Sequence, residues 1–174
     1  MKLLNLTLLL TILTLNTACE FVTENNSGSS KSGEKKLQVL AKEMQHSDLE
    51  CPTLEGQYVA VLSTDEYGRA MEYTIFYATT ALNEAGEMIL TLEDGMELLV
   101  NGKMNSVALG SGDAKYIAGC SNGILKIVAA QGRKFMTTTY EIDGITLYYK
   151  SNGNGPDGSF DDEFTAELDN NFQD

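Results

Sequence analysis

From Cys51-Pro52 onward the chain alternates between short β-rich runs and turn groups. Tyr58-Val59-Ala60-Val61-Leu62, Tyr73-Thr74-Ile75-Phe76-Tyr77, Met88-Ile89-Leu90-Thr91-Leu92 and Met96-Glu97-Leu98-Leu99-Val100 form a first set. Tyr116-Ile117-Ala118-Gly119-Cys120, Ile124-Leu125-Lys126-Ile127-Val128, Phe135 to Tyr140 and Ile145 to Tyr149 form a second. β-Branched and aromatic residues suit a pleated, half-buried surface, so each run predicts a strand. Asp94-Gly95, Asn101-Gly102, Asn122-Gly123 and Asp143-Gly144 stand between runs. Such pairs supply the positive φ angles that tight hairpin turns need. The pattern predicts an all-β, antiparallel up-and-down meander of about eight strands over residues 51–156, either a small barrel or a sandwich. Closure would remove the exposed strand edges that an open meander presents.

The period differs on either side of this region. Leu37, Leu40, Ala41 and Met44 recur at i, i+3, i+4 and i+7 with Lys and Glu between them. That spacing predicts a short amphipathic helix over about 35–47, in the segment 37–50, packed as a lid on the β domain. Residues 19–36 are rich in Ser, Gly, Asn, Lys and Glu and read as a flexible tether. From Asp157 to the end there are seven acids and no base, which predicts a solvated acidic tail over 157–174. Phe160, Phe164 and Leu168 would dock one turn of helix from that tail.

Charge removes whole classes of partner. The 174 residues include 12 Lys or Arg and 25 Asp or Glu, a net charge of −13. Such a chain cannot neutralise phosphates by releasing counterions, so no nucleic-acid partner is expected, and anionic lipid would repel it.

Residues 1–18 carry Lys2, then an apolar run from Leu3 to Leu15 that is too short to span a bilayer comfortably. The run reads as the core of a secretory signal peptide. It ends in Leu15-Asn16-Thr17-Ala18-Cys19, which resembles the lipobox of bacterial lipoproteins. The resemblance implies that Cys19 is diacylated, becomes the first mature residue and ties the chain to a membrane of the cell envelope. Several acyl chains give a stable anchor where one gives marginal binding, so lipid would supply an affinity that the acidic domain lacks. Residue 20 is Glu rather than the Asp that retains some lipoproteins in the inner membrane, so the resemblance implies the outer membrane.

With Cys19 consumed by lipid, Cys51 and Cys120 remain as a pair in an exported domain, where disulfides form and persist. A Cys51–Cys120 bridge would close a long loop and contribute up to about 4 kcal/mol on the chain-entropy account. Two buried free thiols are the alternative. A catalytic cysteine would need His46 as its base, the one histidine of the chain, and His46 lies in a polar segment before the β domain.

Other chemistry is poorly served, and the chain is expected to be a binding module rather than an enzyme. Asn152-Gly153-Asn154-Gly155-Pro156-Asp157-Gly158, followed by Asp161, Asp162 and Glu163, has calcium-loop composition. It lacks an acid at the first EF-hand position, and Pro156 stands where an oxygen ligand belongs. Glu72, Glu97 and Glu141 lie in or beside predicted strands, but nothing in the sequence pairs two of them as glycosidase carboxylates. No zinc ligand set and no cofactor signature occurs.

Two resemblances concern the barrel itself. The Gly56-Gln57-Tyr58 entry into the first strand, preceded by a short helix, is similar to the start of lipocalin-like barrels and implies a carrier of one small apolar ligand. Ser111-Gly112-Asp113-Ala114-Lys115-Tyr116 resembles the Ser-Gly-x-x-Tyr loop of the lipoprotein inhibitors of animal-type lysozyme. That likeness implies a partner-binding loop containing Ser111 and Lys115, aimed at a cationic enzyme. The expectation from sequence is thus a cell-envelope lipoprotein acting as a binding or structural interaction module, with apolar-ligand carrier and lysozyme inhibitor as alternatives.

Overall fold

The structure, a computed structural model, describes residues 31–44, 50–64, 70–109, 111–155 and 158–169. The signal segment 1–18, the acylation candidate Cys19, the tether up to residue 30 and His46 lie outside the described residues. One helix, α1 (Lys31–Glu43), precedes β1 (Glu55–Thr64), β2 (Ala70–Leu82), β3 (Met88–Leu92), β4 (Glu97–Leu99) and β5 (Met104–Leu109). Then follow β6 (Gly112–Ser121), β7 (Ile124–Gln131), β8 (Lys134–Asp143), β9 (Thr146–Gly155) and β10 (Gly158–Leu168). The β-rich, antiparallel expectation holds, but the described residues form ten strands where about eight are predicted.

The additional strands are β5 and β10, and each escapes the pattern for its own reason. Met104-Asn105-Ser106-Val107-Ala108-Leu109 contains Asn, Ser and Ala, which have little strand preference alone. Pairing with the apolar β6 makes it a strand, from Met104 opposite Ile117 to Leu109 opposite Gly112. β10 takes the place of the expected tail and helical turn over Gly158–Leu168, the rest of the tail apart from Asp169 lying outside the described residues. Phe160, Phe164 and Leu168 are four apart, a spacing compatible with both a helix turn and a period of two. Ala166, buried between them, satisfies only the period of two, and Asp161, Glu163, Thr165 and Glu167 take the outward positions.

All ten strands lie in one sheet, in the order β4-β3-β2-β1-β10-β9-β8-β7-β6-β5, each antiparallel to its neighbours. First and last strands pair, Tyr58 with Leu168 and Val59 with Glu167, and Asp169 N–H adds a bond to the Gln57 carbonyl at 2.9 Å. The two sheet edges, β4 and β5, are consecutive in the chain. The nearly closed barrel is therefore interrupted at an internal connection rather than at its termini. Leu99 N–H reaches the Tyr116 hydroxyl at 2.9 Å, and Asn101 and Gly102 N–H both reach the Ala118 carbonyl, at 3.0 and 2.8 Å. Side chain and loop thus hold together what ladder pairing does not.

Alternation fills the interior with Tyr58, Phe76, Leu90, Leu125, Leu147 and their neighbours. β6 and β7 depart from simple alternation because α1 covers their outer face. Leu37, fully buried, meets Ile117, Val128 and Ala130 there, with Leu40, Ala41, Met44 and Phe135 around them. The predicted apolar stripe is the docked one, although the helix begins at Lys31 and ends at Glu43 rather than spanning 35–47. Glu34, Lys35 and Lys36 are good helix formers and let it start earlier. Lys36 adds a cation–π contact, its Nζ 3.9 Å from the Phe135 ring centroid. Cys51 and Cys120, 69 positions apart, are joined as a disulfide with Cα atoms 4.9 Å apart, tying the entry to β1 to the end of β6.

Candidate binding surface

The outward positions of the sheet differ in character around the barrel. On β6 and β7 they are apolar and sheltered by α1. On β8, β9 and β10 they are mainly Thr137, Thr139, Glu141, Lys150, Glu163 and Glu167, with Tyr148 as an exposed aromatic among them. On β1 and β2 they are mostly apolar, and Val61, Tyr73, Ile75 and Tyr77 among them are exposed. Val61 is 54% exposed opposite Tyr73 at 59%, Val59 pairs with Ile75, and Gln57 pairs with Tyr77. Alternation on these two strands places Tyr58, Ala60, Phe76 and Ala78 inside, which leaves Val61, Tyr73, Ile75 and Tyr77 exposed among the described residues, with Val59 half-buried beside them. Contiguous exposed apolar side chains of this kind mark interaction surfaces. Carboxylates border the strip, with Glu167 beside Val59 across the β1–β10 seam and Glu55 at the start of β1.

A recess of about 330 Å³ opens at the end of the barrel where the β6–β7 and β8–β9 turns lie. Pro52, Tyr58, Ile142, Ile145 and Leu168 give it apolar walls, and Glu55 stands at its edge. The Tyr58 hydroxyl accepts Glu55 N–H at 3.1 Å, which holds the carboxylate-bearing backbone against the wall. Burial raises the Tyr58 phenol above its ordinary range, and that backbone hydrogen bond partly offsets the rise.

Deeper inside, aromatic side chains occupy the barrel. Phe76, Tyr140, Tyr149 and Phe164 pack with ring centroids 4.5–6.0 Å apart, the closest being the stacked Tyr149 and Phe164. Thr138 and Ser151 share a fully buried hydroxyl–hydroxyl bond of 3.0 Å next to them. Burial pushes the Tyr149 phenol up to about 12, moderated by the Ser151 and Thr138 hydroxyls. It pushes Tyr140 well above its ordinary range too, and the Tyr140 hydroxyl has no hydrogen-bond partner among the described residues.

The residues singled out from sequence are scattered over this frame. Ser111 sits at the β5–β6 turn, where its hydroxyl receives Gln131 Nε2–H at 3.0 Å. Lys115, on β6, donates to Ser106 on β5 at 2.6 Å, so the two residues engage different neighbours rather than converging. Glu97 and Glu141 are exposed on β4 and β8, and Glu72 lies on β2 opposite Ser63. Asn152 to Gly155 are not a loop but the end of β9, and Asp161, Asp162 and Glu163 belong to β10. Among the described residues no group of three or more His, Cys, Asp or Glu side chains could hold a metal ion. The bare β1–β2 strip went unmarked by sequence reading. Its signal was present in Tyr73-Thr74-Ile75-Phe76-Tyr77, whose outward Tyr73, Ile75 and Tyr77 are as apolar as the inward Phe76, where a half-buried strand should alternate.

Fold and surface together define a disulfide-tied, nearly closed antiparallel β-barrel with a helix on one flank and a bare apolar strip on another. No protein-family model, curated protein or solved structure matches this chain.

Proposed function

We propose that this chain is a lipid-anchored protein of the bacterial cell envelope, tethered through Cys19, whose barrel binds a basic protein partner on the β1–β2 face. The observation that carries the reading is the contrast between two apolar outer faces: β6–β7 is covered by α1, whereas Val61, Tyr73, Ile75 and Tyr77 stand exposed among the described residues. A net charge of −13 and the bordering Glu55 and Glu167 favour a cationic partner over a second copy of the chain or an anionic lipid surface. The lipobox-like residues 15–19 support the anchor, and the Cys51–Cys120 bridge fits an oxidising, exported setting.

The apolar-ligand carrier has less support, because four aromatic rings fill the space such a ligand would take. The lysozyme-inhibitor loop also has less, because Ser111 and Lys115 are engaged with Gln131 and Ser106.

A photo-cross-linking side chain placed at Tyr73, and separately at Thr139 as a control, tests the reading in native membranes. The expected result is one adduct at position 73 with a protein of positive net charge, lost at high salt and missing at position 139. Equal adducts at both positions, an adduct with a second copy of the chain, or none would overturn it. The anchor is tested by the intact mass of the mature protein, expected to begin at Cys19 and to carry acyl groups.

A further inference from the structure

The recess at the barrel mouth and the apolar strip share strand β1. Glu55, at its edge, begins the strand that carries Val59 and Val61, and Gln57 between them pairs with Tyr77. A partner lying along β1 toward its start at Glu55 would approach the recess.

The walls and the rim differ in chemistry. Pro52, Ile142, Ile145 and Leu168 are apolar, and among the described lining residues Glu55 is the charged one. Ile145 is 52% exposed at the tip of the β8–β9 turn, a place where the β6–β7 turn carries Asn122-Gly123 and the β7–β8 turn Gly132-Arg133. Ile145 thus presents an apolar side chain to the recess from a hairpin tip. Nearby, the Glu50 carboxylate accepts Asn122 N–H at 2.7 Å, adding a second acid beside the Gly123 side of the rim. At about 330 Å³ the space is at the lower limit for small-molecule pockets. It suits one long side chain with an apolar stem and a cationic tip, since Lys and Arg bury their methylenes while keeping the charge at the surface.

We infer that this recess is an anchor pocket for a lysine or arginine side chain of the partner, its stem between Ile142, Ile145 and Leu168 and its charge on Glu55. The inference rests on the reading of the β1–β2 face as a protein-docking surface. A single well-filled pocket beside a broader apolar contact is how most interfaces concentrate their affinity.

The recess can be probed without the partner. The folded, disulfide-bonded protein is titrated with Nα-acetyl-lysine methylamide and with its neutral counterpart, Nα-acetyl-norleucine methylamide, while the methyl NMR signals of Ile142, Ile145 and Leu168 are followed. The lysine probe should give saturable shifts at those methyls and bind about fivefold more tightly than norleucine, the upper range for a half-exposed ion pair. Glu55→Gln should abolish that preference, and Ile145→Ser should weaken both probes. Glu55 is exposed and its backbone bond to Tyr58 does not involve the carboxylate, so the fold is preserved. Equal binding of the two probes, shifts elsewhere on the barrel, or no shift would overturn the pocket. A cross-link at Tyr73 without probe binding would sink the pocket alone, and probe binding without the cross-link would sink the docking face.

Discussion

Leu99 N–H and the Tyr116 hydroxyl meet at 2.9 Å across the one place where the strand ladder of the described barrel is interrupted. The bond links β4 to β6 past the free edge of β5, so a side chain stands in for strand pairing. Tyr116→Phe keeps the ring and leaves Leu99 N–H without its acceptor. The expected cost is about 1–3 kcal/mol, with faster amide exchange at Leu99. An unchanged urea midpoint would show that the Asn101 and Gly102 bonds to Ala118 hold the seam unaided.

Reduction of the Cys51–Cys120 bridge frees a chain segment of 69 positions in the unfolded state. Stability should fall by as much as about 4 kcal/mol, read from urea unfolding with and without reductant. Coincident curves would remove the bridge from the account of what stabilises the barrel.

The buried tyrosines should make the protein sensitive to alkali. Burial raises Tyr149 to about 12, so the folded state holds this phenol proton more tightly than the unfolded chain, where it leaves near pH 10. Stability is then flat in this respect below about pH 10 and falls as pH rises through 12, by about 3 kcal/mol for the two-unit difference. Tyr140, shifted in the same direction, adds to the loss. Phenolate absorbance of the folded protein should keep rising up to about pH 12 as Tyr149 ionises, and Tyr149→Phe should shallow the pH dependence. Ionisation of Tyr149 near pH 10 in the folded protein would contradict the packing.

Gly153 should not accept a side chain. A Cβ there would collide with the Phe135 carbonyl and lie 3.0 Å from Met136 Cα and 3.1 Å from Phe160 Cε1. Two of these are backbone atoms that cannot step aside. Gly153→Ala is expected to lower the thermal midpoint at a cost of about 1–3 kcal/mol, whereas the neighbouring exposed Asn152→Ala stays within about 0.5 kcal/mol. Equal midpoints for the two variants would refute the close approach.

Several features were legible because local chemistry dictates them. Apolar runs between Gly-containing turns located eight of the strands, and the Leu37, Leu40, Ala41, Met44 stripe marked the helix face that docks. Asn122 and Gly123 both have positive φ, 53° and 77°, as an Asn-Gly hairpin signal requires. With Cys19 assigned to lipid by resemblance, Cys51 and Cys120 were the expected pair, and they are bridged.

What remained was decided by contacts between distant segments. β5 is a strand because β6 offers it a partner, and β10 because β1 and β9 flank it, neither of which its own composition announces. The glycines at 153 and 155 resembled a calcium loop in sequence, yet Gly153 serves the close approach of β8 and the Phe160 ring. The candidate site shows the same division. Sequence alone determined that Tyr73, Ile75 and Tyr77 would share one face of a strand, because side chains alternate every residue. Only the tertiary structure decided that, among the described residues, this face lacks the covering helix that β6 and β7 receive, since burial depends on what distant parts of the chain bring alongside.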